Sequence, residues 1–375
     1  MKINVKNIFL NGIKMMFTAF LVTAIAGCVS SGSSGPVKEN TARENKELLL
    51  KYLNEMQGKG ILAGQMDNAW NDTIDTVKRV FKDTGRYPAI KGFDYLNIRR
   101  PETGGGGSKQ TAEAIEWWKN SPVRGKNGIV TFCWHWRMPI TGTDRTGRDN
   151  YSPGFVIPFK DGKLDQNDPK FALIMEDLNL VAAELGKLRD AGVPVLWRPL
   201  HEASNINGRP GWFWWGANRE SYLALWAFMH DYFTNEKGLD NLIWVWNGQN
   251  KNWYPGPETV DIAGYDAYDG NRDSPGYKPD YRNTWQYYYE SIISWAPGKP
   301  AALTENGSIP DPDHLIREGT NWIWFMTWDD HSVVEGYTDK NNHWTGEYHN
   351  TNAHKRHVYR HRYVITLNEL PAFSR

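Results

Sequence analysis

Short apolar runs rich in β-branched and aromatic residues recur along most of the chain, separated by longer stretches whose apolar positions return every three or four residues. The runs fall at 61–65, 89–93, 129–135, 195–199, 242–246, 262–265, 301–304 and 322–327, each the length of a strand covered on both faces. Helical patterns lie between them, including 170–191, 219–233, 284–295 and a last one at 353–367. No linker, charge block or repeat interrupts the series. The alternation predicts an α/β chain folded as a single (β/α)8 TIM barrel rather than a doubly wound sheet. In such barrels chemistry gathers where strands end and the following loops begin, so the polar residues there carry the functional reading.

The first 40 residues break the pattern. Lys2, Lys6 and Lys14 precede an uncharged apolar run at 15–26, the layout of an export leader. The run is shorter than the roughly 20 apolar residues a membrane-spanning helix needs. Ala26-Gly27-Cys28 resembles a bacterial lipobox. That resemblance implies a lipoprotein signal peptide over 1–27, diacylglycerol on the Cys28 thiol, a flexible Ser/Gly tether over 28–40 and the barrel over 41–375. An ordinary secretory leader that happens to contain a cysteine is the alternative. The expected location is the outer membrane, on either face, with the anchor as the only membrane contact.

Composition narrows the partners. Cys28 and Cys133 are the only cysteines, so acylation of one excludes an intramolecular disulfide. Basic and acidic residues number 43 each, and loss of the three leader lysines leaves 40 against 43, a balance that disfavours nucleic acid. The 19 Trp and 18 Tyr exceed what one core of this size needs. Sugars present C–H faces that stack on such rings, which points to an aromatic-lined carbohydrate cleft.

Two strand ends carry carboxylates. The fourth strand runs into Trp197-Arg198-Pro199-Leu200-His201-Glu202, followed by Gly211-Trp212-Phe213-Trp214-Trp215-Gly216, and the seventh into Leu303-Thr304-Glu305-Asn306-Gly307. Cleavage of a glycosidic bond needs its oxygen protonated while positive charge builds at the anomeric carbon, so one carboxylic acid and one carboxylate must flank the bond. The two must differ in proton affinity. Arg198 and Tyr268 would favour the charged form of Glu305, whereas Glu202, partly desolvated beside Trp212, would hold its proton longer.

The order of these motifs resembles clan A glycoside hydrolases, and the Trp-Arg-Pro-Leu-His-Glu run with its tryptophan-rich loop resembles glycoside hydrolase family 26. Further matches are Thr131 to Trp136 after strand three, Tyr265-Asp266-Ala267-Tyr268 after strand six and Met326-Thr327-Trp328 after strand eight. The resemblance implies a retaining β-mannanase acting on mannan, galactomannan or glucomannan, with Glu202 as acid/base and Glu305 as nucleophile. It implies substrate contacts from His135, Trp136, Arg198, His201, Trp212, Asp266, Tyr268 and Trp328. His201 stands where many clan A enzymes have asparagine, and Asp329 follows Trp328 where many family members have arginine. The latter departure bears on the more distant sugars.

No cofactor and no metal is expected, and the chain is expected to act as a monomer. Residues Gly104 to Gly107, Ser108 and Lys109 lack the Gly-Lys-Ser/Thr order of a phosphate loop. His354, His357 and His361 fall near one helical face but are interleaved with Lys355, Arg356, Arg360 and Arg362, which repel a divalent cation. Trp117, Trp118, Trp226 and Trp295 lie in helical patterns and read as packing residues. Three alternatives stay open: an exo-acting enzyme releasing mannobiose, with loop 99–109 or 141–163 closing the cleft; a mixed-linkage glucanase or xylanase using the same carboxylates; and a non-catalytic glycan-binding lipoprotein.

Overall fold

Each apolar run becomes a strand because flanking helices cover its outer face while side chains from opposite strands fill the middle. The computed structural model describes residues 41–69, 75–99, 106–140, 154–331 and 339–373. Its barrel strands are β1 (Ile61–Met66), β2 (Ile90–Asp94), β3 (Ile129–Cys133), β4 (Val195–Arg198), β5 (Leu242–Trp246), β6 (Ile262–Ala267), β7 (Ala301–Asn306) and β8 (Trp324–Thr327), every residue of them buried. All neighbours run parallel, and β8 pairs back onto β1 from Leu62 with Trp324 to Gln65 with Thr327, closing the barrel. The fold is the (β/α)8 barrel that the alternation predicts.

Helices α1 (Ala42–Met56), α2 (Thr76–Thr84), α3 (Gly107–Lys119), α4 (Pro169–Asp190), α5 (Arg219–Asp231), α6 (Gln286–Trp295), α7 (Pro312–Glu318) and α8 (Asn352–Arg360) form the outer layer. Their starts carry the expected chemistry. Thr41 and Glu44 make a reciprocal capping box, and Asp168 and Asp311 each cap a helix opened by proline. Between β5 and β6 the crossover holds only two 3-10 turns, Lys251–Trp253 and Pro257–Thr259.

Two features of the last helix depart from the sequence pattern for clear reasons. The last helix stops at Arg360, because β-branched Val364 and Ile365 pair in parallel with Ile61 and Leu62 of β1. The face of α8 read as solvated is partly inside: His354 and Lys355 are buried, and His354 Nε2 meets the Ile309 carbonyl at 2.8 Å. His357 and His361 pair instead with Asp311 and Asp313. Trp117, Trp118 and Trp226 are buried packing residues and Trp295 packs against the same core. The leader, Cys28, the tether and residues 141–153 lie outside the described residues.

One irregularity matters for the site. The β6–β7 register shifts between Tyr265 and Asp266, so that Asp266 comes level with Glu305. Such bulges re-aim side chains at barrel rims.

Candidate active site

The turn that ends β4 is strained in order to present Glu202. Leu200 and Glu202 both adopt left-handed backbone, with φ of 51° and 48°. A non-glycine residue there costs of order 1–3 kcal/mol and persists only where its surroundings over-determine it. Glu202 N–H donates to the Asn247 carbonyl at 2.8 Å, Trp215 Nε1 donates to the His201 carbonyl at 2.8 Å, and Gly211 N–H donates to the Ala203 carbonyl at 2.9 Å. The tryptophan-rich loop is therefore mainly a brace. Trp214 and Trp215 are fully buried, while Trp212 stays 54% exposed at the cleft.

Glu305, at the end of β7, receives two donors. Arg198 Nη2 bonds Oε1, and Tyr268 Oη donates to Oε2 at 2.8 Å. Arg198 in turn gives Nη1 to Asp266 at 2.9 Å, and Asp266 also accepts from Asn247 Nδ2 at 2.6 Å and Thr304 Oγ1 at 2.7 Å. Carboxylate oxygens of Glu202, Asp266 and Glu305 all lie within 4.8 Å of one another. The two glutamates thus converge from β4 and β7 on one cavity of about 390 Å³.

Burial, followed by the field of Asp266, pushes Glu202 up to about 7 and Glu305 up to about 8. Burial and fields alone would leave the proton on Glu305, the higher of the two, and do not decide the order once the donors around each anion are counted. Hydrogen bonding does: the anion of Glu305 is met by a guanidinium and a phenol, whereas Glu202 has the neutral amide of Gln249. Tyr268, held far above the usual phenol range by burial and by Glu305, remains a donor. The pair can therefore carry one proton near neutrality, on Glu202.

His135 lies next to this pair. Its backbone N–H and its Nδ1 both meet Asp94, at 3.0 and 2.6 Å, and its Nε2 is 3.3 Å from Nε2 of His201. Burial works against a charged ring, but the Asp94 carboxylate outweighs it and raises His135. His201 is driven well down by burial, then by Arg198 and His135, and stays neutral.

The residues named from sequence separate into two groups. Glu202, Glu305, His135, Trp212, Tyr268 and Trp328 line the cavity. Arg198, His201 and Asp266 are buried behind it and hold the lining in place. Trp136 is also behind: its ring stacks on Trp134 at 4.1 Å and its Nε1 donates to Asp177 at 2.9 Å, so both faces and the polar edge are taken up by packing. Asp329, flagged as a departure, is buried, and burial with the field of Asp330 holds it well above the carboxylate range, as a neutral acid.

Sequence reasoning missed several members. Asp94 is the last residue of β2 and Asn247 follows β5, so both were accessible to the strand-end rule, but neither stands in a distinctive motif. Arg272, His331, Lys340, Asn341 and His343 also line the cavity, from the loops after β6 and β8. No periodic signal marks such positions.

Comparison with known proteins places this geometry. The model of the family described as Glycosyl hydrolase family 26 matches residues 37–369. A mannan endo-1,4-beta-mannosidase of Thermothelomyces thermophilus is 34% identical over 343 residues, 89% of this chain and 63% of that protein. The crystal structure of a Podospora anserina beta-(1,4)-mannanase superposes with a TM-score of 0.70 at 28% identity, covering 92% of this chain and 72% of that one. A beta-mannanase from a symbiotic protist of the termite Reticulitermes speratus, complexed with gluco-manno-oligosaccharide, gives 0.69 at 29% identity, covering 88% and 95%. The chain spans about half to two thirds of the length of the first curated relatives it matches.

Proposed function

The chain belongs to glycosyl hydrolase family 26, and from that membership we propose that it is an endo-acting hydrolase of β-1,4-mannosidic linkages in mannan, galactomannan or glucomannan, working by retaining double displacement. The observation that carries the reading is the approach of Glu202 and Glu305 oxygens to within 4.8 Å, with unequal hydrogen bonding around them. Retaining pairs stand about 5–5.5 Å apart, whereas inverting pairs leave roughly 6.5–9.5 Å for a water.

In this mechanism the Glu305 carboxylate, steadied by Arg198 and Tyr268, attacks the anomeric carbon and forms a mannosyl ester. Glu202 gives its proton to the departing glycosidic oxygen. The Glu202 carboxylate then takes a proton from water, the hydroxide oxygen bonds the anomeric carbon, and the ester bond breaks to restore Glu305. Trp212 and Trp328 supply ring faces for sugars on the cavity wall. The names of the relatives support mannan as the substrate. The leader pattern and Cys28 support export and lipid anchoring, which a Cys28→Ser variant tests by releasing the protein from the membrane fraction.

The decisive assay follows reducing ends and product length on galactomannan, ivory-nut mannan, barley β-glucan and xylan. A spread of oligosaccharides from the mannans alone is expected. Folded protein that releases none from either mannan refutes the reading. Glu305→Ala should stop turnover while oligosaccharide binding persists, whereas a pure glycan-binding protein would change little.

A further inference from the structure

The loop after β6 brings a cation into the cleft that the two-carboxylate machinery does not use. Arg272 is half-buried and lines the same cavity as Glu202 and Trp212. Its guanidinium carbon lies over the Tyr268 ring, 4.6 Å from the centroid, and Tyr268 is the residue that donates to Glu305. The backbone beneath it is fixed: Arg272 N–H donates to the Asp269 carbonyl at 3.1 Å, and the Arg272 carbonyl accepts from Tyr348 Oη at 2.6 Å. The nearby carboxylates of its own loop are engaged elsewhere, Asp273 with Lys340 at 2.7 Å and Asp269 with Tyr277 and Ser308. Among the described residues no acceptor meets the Arg272 guanidinium.

A guanidinium carries five N–H donors in a rigid plane. Stacked on a ring, it keeps its face covered and its edge free, which suits two neighbouring oxygens better than one. A partly desolvated cation with no acceptor is an expensive thing to hold beside a cavity unless a ligand supplies the oxygens. The prospective ligand in this cleft is rich in adjacent hydroxyls.

We propose that Arg272 is a specificity-determining, substrate-positioning residue whose guanidinium edge binds neighbouring hydroxyls of the mannan chain beside the cleaved bond. The inference rests on the mannanase reading and names a contact which that reading does not contain. It has an electrostatic corollary. Glu202 is faced by Arg198 from β4, Asp266 and Tyr265 from β6, Tyr268 just beyond β6, Glu305 from β7 and Arg272 from the rim, while His135 bears on Glu305. Arg272 is one of two cations that oppose Asp266 in setting its proton affinity. Losing it moves the basic limb of the pH profile to higher pH.

The test compares the parent with Arg272→Met, which keeps the stem and loses charge and donors, and Arg272→Lys, which keeps the charge and loses the fork. Mannohexaose kinetics are measured from about pH 5 to 9, with melting curves recorded for each protein. Arg272→Met is expected to lower kcat/KM about ten- to a hundredfold, mostly through KM, and to shift the basic limb upward. Arg272→Lys should keep the parent's limb without restoring KM. An active parent whose Arg272→Met variant retains both KM and basic limb overturns this inference alone, as does a KM loss that lysine fully repairs. An inactive parent refutes the mannanase reading and this inference together. If Arg272→Met melts well below the parent, Arg272→Lys decides: parental KM with parental melting overturns the proposal, and raised KM with parental melting supports it.

Discussion

Replacing Glu202 by glutamine should abolish turnover and stabilise the fold above neutral pH at the same time. On folding, burial and then Asp266 raise the Glu202 carboxyl from 4.5 to about 7. A carboxyl raised by folding binds its proton more tightly in the folded state, so its contribution is fully present below the unfolded value and is lost as pH climbs through about 7. Above that pH the parent holds a desolvated charge that the unfolded chain leaves in water. At ~1.4 kcal/mol per pH unit, the interval from 4.5 to about 7 sets a ceiling of about 3 kcal/mol. The carboxyl is open toward the cleft, which reduces the expected gain to about 2 kcal/mol. For a domain of this length that is roughly 3 °C in Tm. The assay is thermal unfolding of parent and Glu202→Gln at about pH 5 and about pH 8.5, beside hydrolysis, which should fall at least about a hundredfold. The variant should gain on the parent as pH rises. A Tm difference that is the same at both pH values, or a variant that melts lower at the higher one, would refute the reasoning.

Further outcomes follow from the same structure. Arg198→Met leaves Asp266 and Glu305 buried without their cation, a loss of about 3–5 kcal/mol, or roughly 4–7 °C in Tm. Adding Asp266→Asn should recover part of the melting temperature and none of the turnover, so joint recovery would contradict the assigned role of Arg198. Tyr268→Phe removes a donor to the charged Glu305 and should lower kcat/KM about ten- to a hundredfold with Tm nearly unchanged. Trp212→Ala, at an exposed ring, should leave melting alone and raise KM by about fivefold, whereas a fall in Tm would mark it as packing. A Cβ on Gly211 would stand 2.0 Å from the Glu202 carbonyl oxygen, so Gly211→Ala should cut kcat by at least about tenfold, while Gly186→Ala on α4, with nothing within 4 Å, should stabilise by about 0.5–1 kcal/mol.

The barrel was legible because its signal is local and repeated. Eight buried runs each announce themselves by composition, and their order implies closure without any knowledge of contacts. The two glutamates were legible for the same reason, since each stands at a strand end inside a distinctive motif. What a linear reading could not supply is which side of a strand-end residue faces the cavity. Trp136 and Trp212 look alike in sequence, yet one is locked against Trp134 and Asp177 and the other projects into solvent. Asp266 is implied as a substrate contact by the resemblance of Tyr265-Asp266-Ala267-Tyr268 to the family motif. The register shift at Tyr265 turns it toward Arg198 instead. Arg272 lay in a turn-rich loop with no pattern at all, and its significance comes from a ring that only tertiary structure brings beneath it.

The placement of Arg198 explains how two raised carboxyls can still divide the labour. One guanidinium spans Asp266 and Glu305, and Asp266 has its other oxygen covered by Asn247 and Thr304. Asp266 thus keeps Arg198 oriented while its own negative field raises both glutamates. The first proton to leave the pair comes from the carboxyl whose anion already has donors, and that is Glu305. Its new charge then makes the remaining proton on Glu202 harder to remove. In the proposed mechanism Glu305 loses that charge as the ester forms, so Glu202 becomes the stronger acid during that same step, gives up its proton to the leaving oxygen and is left as the carboxylate that next takes a proton from water. A covalently trapped mannosyl ester should accordingly show Glu202 titrating at lower pH than in the free enzyme, measurable from the carboxyl's infrared band. Titration at an unchanged or higher pH would break the link between the two residues.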